Sequence, residues 1–144
     1  MQAAPTSQQI VKNAWKAFAT RDPAQIAAVF TEDAEWRAPE GNATAKALEH
    51  THEMLGREAI VQFLSKEMHR LFVKDLALTF TGLFSDGPVV ILEQRLQATL
   101  AGGRTYDNEY CFIIELQDGR IHRVREYMDT QRGFRCIFGQ PAAA

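Results

Sequence analysis

From residue 76 onward the chain stops spacing its apolar residues by three and four and begins to alternate them. "LALTFTGLF" (76–84), "VVILEQRLQATL" (89–100), "RTYDNEYCFIIEL" (104–116) and "RIHRVREYMD" (120–129) carry the period of two that sends successive side chains to opposite faces of a strand. The breaks between them, "SDGP", "AGG" and "QDG", are turn chemistry. Four strands joined this way predict an antiparallel meander, and a meander needs something to cover one of its faces.

The cover is encoded upstream. "SQQIVKNAWKAFAT" (7–20) places Ile10, Ala14, Trp15 and Phe18 at helical spacing behind a capping Ser7. A second, short helix starts at Asp22 with Pro23 in its first turn and runs through Ile26, Val29 and Phe30. "DAEWRAP" (33–39) is extended, because the residue before Pro39 is pushed away from helix. Residues 40–55, "EGNATAKALEHTHEML", have weak periodicity and read as a long loop or lid. A third helix spans about 57–72, with Ile60, Phe63, Leu64, Met68, Leu71 and Phe72 on one side. Helices first and a meander afterwards define an α+β protein, here one domain over 1–144 with flexible tails at 1–6 and 137–144.

Charge and cysteine content narrow the function. A net charge of −2 lacks the basic excess of a nucleic-acid binder. Cys111 and Cys136 are too few for a disulfide framework, and their spacing makes no metal motif. The stretch "MQAAPTSQQ" has no basic segment followed by an apolar core, and no apolar run approaches the ~20 residues of a membrane helix. The expectation is a cytoplasmic protein with no membrane partner.

Parity within each strand sorts residues into two faces. In 104–116, Tyr106, Asn108, Tyr110, Phe112, Ile114 and Leu116 share the more apolar face. In 120–129, Arg123 and Arg125 mark the wetter face, so His122, Val124, Glu126 and Met128 point inward, provided no bulge intervenes between 123 and 128. Glu126 is then a carboxylate in an apolar row. It must be hydrogen-bonded, ion-paired or protonated, and such groups are candidate general acids or bases. In 89–100 the apolar row is Val90, Leu92, Leu96, Ala98 and Leu100, and parity alone turns Glu93, Arg95 and Gln97 toward water.

"GREAIVQFL" opening the third helix and "NEYCFIIELQDGRIHRVREYMDT" closing the chain resemble the SnoaL-like branch of the nuclear transport factor two-like superfamily, over about residues 7–135. The resemblance implies a cone-shaped, strongly curved antiparallel sheet wrapped around three N-terminal helices, with one deep apolar pocket and dimerisation through the outer sheet face. A dimer would account for an apolar outer row on 89–100 and would turn Arg95 inward, toward Glu126. The superfamily contains ketosteroid isomerases, polyketide cyclases, epoxide hydrolases and non-catalytic binding modules, so the resemblance alone leaves the activity open.

Against the limonene epoxide hydrolase pattern, Arg95 keeps the arginine and Glu126 takes the place of one catalytic aspartate. Gln97 stands where the other aspartate belongs, while Glu35 and Arg37 occupy the tyrosine and asparagine positions. An isomerase- or cyclase-like reading needs only one carboxylate and donors for an enolate. It assigns catalysis to Glu126, Arg95 and Tyr110, with Asn108, Trp36, Met128, Val124, Phe112, His52 and Gln97 lining the substrate. No cofactor and no metal are expected, although "EHTHE" (49–53) contains competent ligands in His50, His52 and Glu53. The expected partner is a small apolar or polycyclic carbonyl compound. The rival is a non-catalytic ligand-binding or association module in which Glu126 and Arg95 form a buried structural pair.

Overall fold

The computed structural model describes residues 3–139. Six strands form one curved, unclosed sheet: β1 (Phe30–Arg37), β2 (Glu53–Leu55), β3 (Phe72–Asp86), β4 (Val89–Leu100), β5 (Thr105–Gln117) and β6 (Arg120–Met128). Their order is β2–β1–β6–β5–β4–β3. β3 to β6 are the expected meander, each pair antiparallel. β1 joins it in parallel with β6, and β2 adds antiparallel to β1. Register shifts in the β1–β6, β3–β4 and β5–β6 pairs are the irregularities by which a sheet bends.

Five helices accompany the sheet: α1 (Ser7–Thr20), α2 (Pro23–Ala27), α3 (Ala43–Leu48), α4 (Arg57–Ser65) and α5 (Thr130–Phe138). Val11, Ala14 and Trp15 are the buried stripe of α1, at the spacing of one helix face. Its cap is Thr6, whose hydroxyl accepts from the Gln9 N–H at 3.1 Å; Ser7 instead donates to the Gly87 carbonyl at 2.7 Å. Asp22 caps α2 and Pro23 opens it, as expected.

Three expectations are corrected. Segment 40–55 is not a loop. Asn42 caps α3 by accepting from the Ala45 N–H at 3.0 Å, and residues 53–55 pair with β1. The third expected helix, α4, ends at Ser65; a 3₁₀ turn at Glu67–Arg70 follows, and Phe72 already belongs to β3. Helical spacing continues through this break because Leu71 and Phe72 bury against the end of the sheet rather than along the helix. Finally, the expected tails lie partly outside the described residues, but Ile137 and Phe138 end α5, which Asp129 caps by accepting from the Arg132 N–H at 3.0 Å.

The core fills the concave side of the sheet. Phe30, Val90, Leu92, Phe112, Ile114, Ile121 and Val124 supply the sheet side; Val11, Ala14, Ile26 and Ile60 supply the helix side. Phe18 stacks on Phe30 with centroids 5.6 Å apart and planes within 7°. Among the described residues no helix is long and apolar enough to cross a membrane.

Candidate active site

Between α1, α4, β3 and the concave face lies a cavity of about 780 Å³. Its walls are largely aromatic. Trp15, Trp36, Phe80 and Phe112 meet with centroid separations of 5.5–6.2 Å, mostly edge to face or tilted, as ring quadrupoles prefer.

Glu126 reaches this cavity from β6. The strand contains one extra residue near His122, so Ile121 and Val124 both face inward although their numbers differ in parity. From Arg123 to Met128 the pairing with β5 is regular, which keeps Glu126 on the concave face. Its Oε1 accepts the Trp36 indole N–H at 2.9 Å. Among the described residues no cation forms an ion pair with it. Burial pushes its carboxyl pKa up from 4.5 to about 7, with the Trp36 N–H pulling weakly the other way.

Two further polar groups border the same space. Gln94, 3 % exposed, accepts the Trp15 indole N–H at 2.9 Å. Tyr110 hydrogen-bonds through its hydroxyl to that of Tyr106, and the Asn108 amide donates to Tyr106 Oη at 3.2 Å. Either hydroxyl can donate in the Tyr106–Tyr110 bond, and Tyr110 lines the cavity. Burial, reinforced by neighbouring Tyr106 and Glu126, holds the Tyr110 pKa well above its usual value, so the hydroxyl remains a donor.

Glu126, Trp36, Tyr110 and Phe112 thus share one wall. The other expected site residues do not join them. Arg95 lies on the convex face, its guanidinium forked onto Asp107 at 2.9 and 2.6 Å. Gln97 shares that face. Parity alone had assigned both to water; the even row of β4 is buried because it faces the core, so no dimer is needed to explain it. Asn108 is fully buried but spends its amide on Tyr106 and the Asp129 carbonyl, and its oxygen accepts from the Glu109 N–H. Its work is to orient Tyr106. Val124 is a core residue, and Met128 borders a small recess beside Tyr106 and Gly133 rather than the main cavity. His52 pairs with Glu53 at the β2 end, and His50 packs on Phe63 with centroids 5.2 Å apart. His122 meets Thr31 Oγ1 at 3.1 Å and Asp33 at 3.5 Å, so its inward parity is undone by the bulge. Among the described residues no three His, Cys, Asp or Glu side chains converge as a metal site would require.

Gln94 escaped the sequence reading, although its signal was the one that exposed Glu126: a polar residue in an otherwise apolar strand row.

A curved sheet around helices, with a buried carboxyl in an aromatic cavity, is the arrangement of a large class of α+β pocket proteins. Residues 11–124 match the SnoaL-like domain, and the chain belongs to that family. No curated protein sequence matches it significantly. Among solved structures it is similar to an NTF2-like protein of unknown function from Burkholderia pseudomallei, with TM-score 0.79 and 17% identity over 93% of this chain and 98% of that one. TerC co-crystallised with polyporic acid aligns with TM-score 0.78 and 20% identity over 92% and 98%. An LEH-like epoxide hydrolase of M. tuberculosis aligns with TM-score 0.68 and 18% identity over 92% and 89%. At these identities the likeness concerns the fold.

Proposed function

We propose that the protein is a cofactor-independent enzyme that moves a proton on an apolar carbonyl or polycyclic substrate, in the manner of an isomerase or cyclase. Glu126 is the general base or acid, Tyr110 the donor to the developing enolate, and Trp36, Phe112 and Gln94 hold the substrate. One observation carries this reading: a carboxyl with no cation beside it, in an aromatic cavity, poised to exchange a proton near pH 7. Trp36 fixes its orientation. Arg95 and Gln97 drop out, and with them the paired carboxylates and arginine of an epoxide hydrolase.

The neighbour co-crystallised with polyporic acid supports a small organic ligand for this fold. The rival, a non-catalytic binding module, loses the buried ion pair it called for, because Arg95 stands on the opposite face. Association through the convex face fits this reading too, since Phe84, Ile91 and Tyr127 are exposed there.

The test is proton abstraction from nitrobenzisoxazole, an apolar bicyclic whose ring opens when a base removes its C–H proton and the N–O bond breaks. The wild type should show a rate that rises through an ionisation near 7, and Glu126→Gln should lower it by at least about 100-fold. An unchanged rate in Glu126→Gln would remove the assignment.

A further inference from the structure

The cavity has two chemically distinct ends. Around Glu126 it is aromatic and almost free of charge. At its open edge, between α1 and β3, four cations border it: Lys12, Lys16, Arg21 and Lys74. Lys12 and Lys16 are one helical turn apart on the stripe of α1 that also brings Trp15 and Ala19 to the cavity. Arg21 follows at the left-handed end of the same helix, with φ +58°. The hydrogen bonds from α1 to the far end of β3 and to the turn after it are Gln8 to Ser85 and Ser7 to Gly87.

Lys74 is delivered by a local break in β3. Pairing with β4 shifts register between Lys74 and Ala77, and Asp75 takes a left-handed φ of +57° that only a few residue types accept. The Thr99 hydroxyl donates to Asp75 Oδ2 at 2.8 Å and holds the break in place. Because of it, consecutive residues from Val73 to Leu76 border the cavity, where an unbroken strand would present every second one.

None of the four cations forms an ion pair among the described residues, whereas Arg37, Arg95, Arg123 and Arg125 on the sheet all do. Asp75 and Glu126 are the only carboxylates among the described cavity-lining residues, and Asp75 is engaged by Thr99. A chain of net charge −2 thus concentrates positive charge at the mouth of an apolar cavity, where low-dielectric walls focus it. Beside it Leu76 and Leu78 are left 38% and 40% exposed, apolar surface that a ligand body would cover.

We propose that the ligand is an amphipathic anion. Its apolar cyclic body sits among the aromatic rings, and a carboxylate or equivalent group stays at the mouth on Lys12, Lys16, Arg21 and Lys74. Only the ligand's orientation, reactive end toward Glu126, rests on the catalytic reading above.

The chain's two tryptophans, Trp15 and Trp36, both line the cavity, so quenching of their emission reports occupancy directly. The probes are anilinonaphthalenesulfonate and its uncharged counterpart phenylnaphthylamine. The wild type should bind the sulfonate more tightly, with a preference that shrinks as salt is added. The double variant Lys16→Gln/Lys74→Gln should bind the sulfonate about fivefold to tenfold more weakly, as expected for two exposed charge contacts. Its affinity for the uncharged probe should not change, which also shows that it is folded. Equal affinity of the wild type for both probes, or a sulfonate preference that survives the double variant, overturns the proposal, and so does failure of both probes to quench. A wild type with no anion preference but with Glu126-dependent proton abstraction would sink this inference alone. The converse result would sink the catalytic reading and leave this one.

Discussion

The two faces of one sheet handle charge in opposite ways. On the convex face arginines are set against carboxylates: Arg95 forks onto Asp107, Arg123 lies 2.8 Å from Glu35 and 3.4 Å from Glu115, and Arg37 reaches Glu53 at 3.2 Å. On the concave face Glu126 has a single neutral donor, and at the mouth four cations have no carboxylate partner among the described residues. Pairing in water is easy to arrange and contributes little. An unpaired carboxyl in an aromatic cavity is costly, and folding alone would not retain it. The proposed function therefore uses the face where charge is left unanswered.

The largest expected effect tests that cost. Glu126 ionises at about 7 when folded against 4.5 free. Between those values the folded state keeps a proton that the unfolded state has lost, so stability falls as pH rises through that window. The gap corresponds to roughly 3 kcal/mol. Denaturant titrations of Glu126→Gln should match the wild type at pH 4 and exceed it by up to that amount at pH 8. A variant no more stable than wild type at pH 8 would mean that the carboxyl is not strained by its surroundings.

Next in size is Tyr110→Phe. It leaves the buried Tyr106 hydroxyl without its Tyr110 partner and should cost about 1–2 kcal/mol in equilibrium unfolding. Turnover of any accepted substrate should fall as well. Retained turnover at reduced stability would reduce Tyr110 to a structural role.

A smaller effect is expected where α5 crosses the tyrosine pair. A Cβ on Gly133 would lie 3.2 Å from Asn108 Nδ2 and 3.5 Å from Tyr106 Oη. Alanine normally stabilises a helix interior by up to about 1 kcal/mol over glycine. Asn108 is held by three hydrogen bonds and cannot retreat, so Gly133→Ala should melt no higher than wild type.

The smallest effect belongs to the convex face. Arg95→Gln should leave turnover unchanged and shift the melting temperature little, because its bridge to Asp107 is exposed. A large loss of activity there would break the division between the faces.

The meander was legible in the sequence because alternation and turn chemistry are local signals, and β4 begins and ends where they place it. Glu126 was legible for the same reason, since no bulge falls between it and Arg123. Arg95 shows the opposite lesson. Periodicity placed it in water, and an argument imported from dimerisation moved it inside. Short elements were missed where one residue type masks another. The Asn42 cap of α3 sits in an alanine-rich stretch of weak amphipathicity, and Gly133 interrupts α5, yet a close crossing over Asn108 demands it. The bond between Tyr106 and Tyr110 joins side chains from two positions on one strand, and no spacing rule supplies it.

The break at Asp75 has a consequence for how such a protein can change. It lies in β3, the outermost strand, which is hydrogen-bonded to β4 alone. The cavity-lining residues Lys74, Leu76 and Leu78, which on this proposal choose what enters, therefore answer to one neighbour, while Glu126 and Trp36 are locked between strands on both sides. Substitutions at the entrance can accumulate without disturbing the proposed reacting group. A lineage built on this plan can exchange its substrates while inheriting its chemistry intact.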